Sequence, residues 1–183
     1  TARKQHSIAI GRDGRLSGPE LIAALARGIQ KSGINVIDVG CVPTPMVYFA
    51  AYQLQTNCAV MLTGSHNPPD YNGFKIMLGG ETLAEDAIQE LYACIAEGRL
   101  DVGTGSLKQV DVRPDYIERI TGDIQIERKL KIVLKDDGYN PGRAVANFNE
   151  MKDSVFAVIG TVGTAVLNAN KDLVAEAGLP LIY

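Results

Sequence analysis

The stretch that decides the fold is Cys58-Ala59-Val60-Met61-Leu62, then Thr63-Gly64-Ser65-His66-Asn67-Pro68-Pro69-Asp70-Tyr71-Asn72-Gly73, then Phe74-Lys75-Ile76-Met77-Leu78. The outer segments are short apolar runs of strand length, so the loop between them is held at both ends. That loop contains a hydroxyl nucleophile, an imidazole, an amide, adjacent prolines and an Asn-Gly turn, with a lysine just beyond it. Turns use Gly, Asn, Pro and Asp on conformational grounds alone, so residue types by themselves fit a plain connection as well as a functional loop.

The order of the residues separates these readings. Thr63-Gly64-Ser65-His66-Asn67-Pro68 followed by Asn72-Gly73-Phe74-Lys75 resembles the active-site loop of the α-D-phosphohexomutases, the phosphomannomutase/phosphoglucomutase enzymes. The resemblance implies that Ser65 is the phosphorylated residue, passing its phosphoryl group to and from a hexose phosphate or bisphosphate. It also implies Mg²⁺ on that phosphate, Lys75 in proton transfer or charge stabilisation, His66 beside Ser65 and Lys75 in the catalytic set and orienting the loop, and Asn67 both orienting the loop and binding substrate or phosphate. The physical logic agrees: a serine in a tight loop can approach a sugar hydroxyl while backbone N–H groups and a cation steady the phosphate oxygens.

Working outward, the chain has 183 residues, 46% hydrophobic and 21% charged, with a net charge of −3. That length supports a substantial core in one or two domains. The mixed charge gives no basic footprint for nucleic acid. No run approaches the ~18 apolar residues of a membrane span. Cys41, Cys58 and Cys94 are widely spaced and form no C-x-x-C pair, which points to a reduced, cytoplasmic chain.

Upstream, residues 7–10 read as a strand ending in Gly11-Arg12-Asp13-Gly14-Arg15-Leu16-Ser17. Ser17 and Glu20 suggest a capping box with Pro19 in the first turn, Leu21, Ile22, Leu25 and Ile29 give the buried stripe, and Gly33 stops the helix. Arg12 and Arg15 are open to two readings, phosphate contacts near a helix N-terminus or local ion pairs with Asp13. The ordered Gly-Arg-Asp-x-Arg is similar to a phosphohexomutase string and implies substrate or phosphate binding. A strand at 35–39 and a helix from Thr44-Pro45 with Val47, Tyr48, Ala51 and Tyr52 on one face precede the Ser65 loop. Alternating strands and helices with short connections predict a three-layer αβα fold with a mostly parallel sheet. Ligands then bind at the carboxyl ends of strands, where both the Arg12–Arg15 and Ser65 loops emerge.

Downstream, Thr82 and Glu85 suggest a second capping box, with Ile88, Leu91 and Ile95 inward and a stop at Gly98. A short extended piece after Val110 leads to a helix beginning near Pro114, with Tyr116, Ile117 and Ile120 inward. Residues 1–130 thus form a segment like the first phosphohexomutase domain. From Lys131 the likeness changes. Lys131-Ile132-Val133-Leu134-Lys135-Asp136-Asp137-Gly138-Tyr139-Asn140-Pro141 and Phe156-Ala157-Val158-Ile159-Gly160-Thr161-Val162-Gly163-Thr164 resemble an amino-acid-binding periplasmic protein, and the likeness runs through residues 131–183. The pattern there reads as a strand, a helix from Asn140-Pro141, a strand at 155–159, a helix from Thr164 with Leu167, Leu173 and Val174 inward, and a last strand at 179–183. The resemblance implies carboxylate binding by Thr161, Gly163 and Thr164, while Thr164 is equally a helix N-cap.

Together the two likenesses imply a chimera of βα units from two families, forming one continuous sheet or two small domains. The phosphohexomutase metal loop, Asp-Gly-Asp-Gly-Asp-Arg, is absent from the sequence. A lone Ser65 phosphate cannot complete an octahedral Mg²⁺ site. The expectation is a partial catalytic site that does not turn over hexose phosphates efficiently. An enzyme fragment, an amino-acid-binding module and an inactive α/β chimera are the candidate functions, the first favoured for origin and the third for behaviour.

Overall fold

The structure is a computed structural model that describes residues 5–124, 129–161 and 163–182. The chain divides into two compact units, Thr1–Gln125 and Ile126–Tyr183.

In the first unit, β1 (Ser7–Arg12), α1 (Gly18–Lys31), β2 (Asn35–Cys41), α2 (Thr44–Gln53), β3 (Ala59–Leu62), β4 (Phe74–Leu78), β5 (Glu81–Thr82), α3 (Glu85–Ala96), β6 (Leu107–Gln109) and α4 (Arg113–Asp123) follow in order. The sheet order is β5-β4-β3-β1-β2-β6. β1 pairs parallel with β2 and β3, and β6 parallel with β2, whereas β4 runs antiparallel to β3 and β5 to β4. The fold is α/β, with a mixed sheet and helices on both faces. The antiparallel edge has a simple cause: no crossover helix separates β3 from β4, so the chain must return against its own direction.

Alternation along the central strands builds the two apolar layers. Ile8, Ile10, Cys58, Val60 and Leu62 pack toward Ile22 and Ala26 of α1. Ala9, Ala59 and Met61 face Val47, Ala50 and Ala51 of α2, with Val112 in the same cluster. Each fully buried Val or Leu contributes about 1.5–3 kcal/mol. Gly11 permits the close approach of α2, since a Cβ there would stand 2.6 Å from Val47 Cγ2.

Several local expectations change. Ser17 precedes α1 without capping it, and its hydroxyl bonds Asn72 Oδ1 at 2.9 Å. Thr82 belongs to β5 and Ala84 occupies the cap of α3, so the second capping box does not form either. Tyr52 is exposed, as are Ile88 and Ile95 of α3 and Ile117 and Ile120 of α4. α3 buries no residue, and a cleft of about 360 Å³ is lined by its Ala87, Leu91 and Cys94 and by Ile8, Ile29, Cys58 and Leu78. α4 is anchored instead by Val112 and by Tyr116, whose ring meets Phe49 edge-on at 5.3 Å.

The second unit holds α5 (Pro141–Met151), β7 (Val158–Ile159), α6 (Thr164–Glu176) and β8 (Leu181–Ile182), with β7 and β8 parallel. Asn140 caps α5 by accepting from the Arg143 N–H at 3.0 Å. Val166, Asn170 and Val174 are the buried face of α6, with Ala144 and Phe148 buried on α5. Residues 131–134 form no strand, and among the described residues β7 and β8 pair in a two-stranded sheet apart from the six-stranded one, so of the two arrangements left open the continuous sheet is not the one seen. The segment at 155–159 shortens to the two strand residues Val158–Ile159, which pair with Leu181 and Ile182 of β8.

Candidate functional site

The connection leaving β1 runs to β2 on one side, and the next crossover returns to β3 on the other. Such a reversal opens a crevice at the carboxyl ends of the two central strands. Arg12 and Leu62 are register partners at those ends, so the loop after Arg12 and the loop after Leu62 emerge side by side. A pairing about fifty residues apart in sequence is thereby brought together by sheet order.

Arg15 joins the two loops. Its Nη1 donates to Pro68 O at 2.5 Å and its Nη2 to Ser65 O at 3.1 Å and Asn67 O at 2.9 Å. Its Nε donates to Asp13 Oδ2 at 3.1 Å, and its backbone N–H to Asp13 Oδ1 at 3.1 Å. Gly64 makes room for this: a Cβ there would overlap the Arg15 guanidinium and lie 2.5 Å from Tyr71 O. Arg12 Nη1 donates to Asp13 O at 3.0 Å.

Thr63 completes the support. It is buried, its Oγ1 accepts the Ser65 N–H at 2.8 Å, and its hydroxyl hydrogen-bonds the Asp13 carboxylate. Partial burial would raise the Asp13 pKa, but donation from Thr63 and from the Arg15 N–H and guanidinium outweighs it, and the net direction is down. Further along, Thr63 N–H donates to Gly73 O, Asn67 N–H to Gly64 O and Tyr71 N–H to Pro68 O. Ser65 adopts the left-handed conformation at φ 53°, which L-residues other than Gly, Asn and Asp rarely enter without support.

The remaining expected residues fall as follows. Ser65, His66 and Asn67 are exposed on the loop. Lys75 is exposed on β4, opposite Met61. Asp13, Gly14, Arg15, Leu16, Asn67 and Pro69 line a shallow depression between the loops. In the other unit Thr161 lies just before α6, Gly163 is its N-cap at φ 101°, and Thr164 is its first residue rather than its cap. The Tyr139 ring fills the space a Cβ on Gly163 would need. Sequence reasoning missed Thr63 and Ser17 as supports and gave Asp13 only an ion-pair role; the i to i+2 spacings Thr63/Ser65 and Asp13/Arg15 were the available signals.

For magnesium, the donor set falls short. Among the described residues no group of three or more His, Cys, Asp or Glu could hold a metal ion. The nearby carboxylate, Asp13, is engaged by Thr63 and Arg15. These residues do not fit a Mg²⁺ site, which needs near-octahedral oxygen ligands.

Fold and loop together define a doubly wound α/β domain presenting an exposed serine at the carboxyl edge of its sheet. Residues 1–101 match the family model "Phosphoglucomutase/phosphomannomutase, alpha/beta/alpha domain I". The chain belongs to the phosphoglucomutase/phosphomannomutase family. Residues 99–183 also match a family model described as "Periplasmic binding protein". Similar relatives include a phosphomannomutase/phosphoglucomutase of Pseudomonas aeruginosa, 52% identical over 133 residues, covering 73% of this chain and 29% of that protein. A phosphoglucomutase of Neisseria meningitidis serogroup B is 53% identical over 141 residues, covering 76% of this chain and 30% of that protein. A crystal structure of a phosphoglucomutase/phosphomannomutase family protein from Burkholderia thailandensis is similar at TM-score 0.69 and 37% identity, covering 100% of this chain and 36% of that one. The chain therefore spans about three-tenths of the length of these curated relatives. Among the described residues no helix is long and apolar enough to cross a membrane.

Proposed function

We propose that this chain carries the phosphoserine step of a phosphohexomutase, with Ser65 as the residue that gives and takes the phosphoryl group. The observation that carries this reading is the exposed Ser65 on a loop locked by Arg15, Asp13 and Thr63 at the sheet's carboxyl edge, in a member of that family. Phospho-Ser65 transfers its phosphoryl group to a hydroxyl oxygen of a hexose phosphate: the Ser65 Oγ–P bond breaks, a sugar O–P bond forms, and the sugar hydroxyl proton passes to the departing Ser65 Oγ. The bisphosphate turns over, and its other phosphoryl group returns to Ser65. Lys75 assists by charge or proton transfer and Arg12 contacts phosphate, while His66 and Asn67 hold the loop's outer edge. Mg²⁺, implied by resemblance to the family, would need ligands beyond those here. The chain covers only part of its relatives, so the expected activity is phosphoryl exchange on Ser65 rather than efficient turnover.

The test is the intact mass and the Ser65-containing peptide after incubation with glucose 1,6-bisphosphate and Mg²⁺, beside Ser65→Ala. One added phosphate on Ser65, absent in the variant, is expected. No phosphate on a folded wild-type chain removes the reading.

The match of residues 99–183 to a periplasmic binding protein model favours a second reading: a chimera in which residues 131–183 derive from an amino-acid-binding protein. Binding would then use Thr161, Gly163 and Thr164 at the start of α6. Calorimetric titration with amino acids that gives no heat would count against that binding role. A reduced, cytoplasmic setting agrees with the free Cys41, Cys58 and Cys94.

A further inference from the structure

Arg15 was open to a phosphate-binding reading, but its geometry supports a different role. All three guanidinium nitrogens donate to protein oxygens, three of them main-chain carbonyls of the Ser65 loop and one the Asp13 carboxylate. The side chain is only 11% exposed. A phosphate would have to displace these bonds and leave carbonyls without donors.

Peptide planarity carries the consequence further. In a trans peptide the C=O and the following N–H point in opposite directions. The Ser65 carbonyl faces Arg15, so the His66 N–H faces away from it. The Asn67 and Pro68 carbonyls also face Arg15, and each is followed by a proline, which has no N–H. The Ser65 N–H is held by Thr63 and the Asn67 N–H by Gly64. Within this loop segment the His66 N–H is the donor left pointing outward, next in the chain to the Ser65 hydroxyl.

We propose that Arg15 is a positioning residue for Ser65: it draws three carbonyls inward, holds Ser65 in its left-handed conformation, and leaves the His66 N–H free to donate to phosphoryl oxygen. The purpose rests on the phosphoserine reading, whereas the latch itself does not. Lysine keeps the charge but not the planar fork, so it cannot reproduce the four contacts.

The deciding experiment is amide hydrogen exchange in phosphate-free buffer on unphosphorylated wild type, Arg15→Lys and Arg15→Ala. In Arg15→Lys the Ser65, Asn67 and Tyr71 amides are expected to exchange on the order of tenfold faster, while β1 and β3 amides stay within about twofold of wild type. Wild-type loop exchange in Arg15→Lys overturns the latch, because charge alone would then suffice. Arg15→Ala should match or exceed Arg15→Lys, and its return to wild-type exchange would likewise overturn the proposal. In parallel, phosphate uptake from glucose 1,6-bisphosphate should slow at saturating donor in Arg15→Lys with little change in half-saturating concentration. If wild type takes up no phosphate, the phosphoserine reading fails while the exchange data still decide the latch.

Discussion

At the residue scale, one carboxylate sets the acid limit of the site. Asp13 receives the Thr63 hydroxyl and two Arg15 donors, and its pKa lies below the ordinary aspartate value. A depressed folded pKa contributes stability that is fully present above the unfolded value, about 3.9, and is lost as pH falls through the lower folded value. Acid, not base, should therefore loosen the Ser65 loop. An NMR titration of the Ser65 amide should show a step below pH about 4 that Asp13→Asn removes. A titration with no step below pH about 4 would remove Asp13 from the support of the loop. Asp13→Asn should abolish the acid step while leaving the sheet intact, because the change is isosteric and at the edge of the core.

At the scale of elements, β1 and α2 approach closely just before the site. Gly11 precedes Arg12, and a Cβ at Gly11 would meet Val47, with Val39 Cγ2 at 3.2 Å as well. Gly11→Ala should destabilise by about 1–3 kcal/mol through overpacking. Val47→Ala should cost about 2 kcal/mol as a lost buried side chain. The double variant should be more stable than the sum of the singles predicts, since the new methyl enters the space the valine vacates. Urea denaturation of the four proteins checks this, and strict additivity would show that β1 and α2 separate freely. α3 teaches the opposite lesson. Its Ile88 and Ile95 have helical spacing yet are exposed, because periodicity shows that one face is apolar but not that anything lies against it.

For the whole molecule, the two units differ in how much core each owns. Both hydrophobic clusters, one on each face of the six-stranded sheet, lie within the first unit. The second has buried Ala144, Phe148, Val166 and Val174 around a two-stranded sheet, with Phe156, Ile159 and Ile182 exposed. A two-stranded sheet with so small a core is marginal on its own. Residues 1–125 expressed alone should melt cooperatively with native-like circular dichroism, and residues 126–183 alone should show no cooperative transition. A sharp transition in the shorter piece would mean that its core is larger than its buried residues indicate.

The sequence by itself determined the alternation of strands and helices, the apolar runs that become the central strands, and the resemblance that singles out the Ser65 loop. Those signals are local: apolar runs of strand length, helix stops such as Gly33 at φ 82°, and a long ordered motif. Only the tertiary structure decided that Arg15 grips the Ser65 loop, that Ser17 reaches Asn72 instead of capping its own helix, and that Lys131–Leu134 finds no ladder. Each of these depends on a partner distant in sequence or on a neighbouring strand's presence. A polar side chain between a nearby cap and a remote carbonyl goes where sheet order brings an acceptor within about 3 Å. A β-branched run becomes a strand only when another strand is there to bond it.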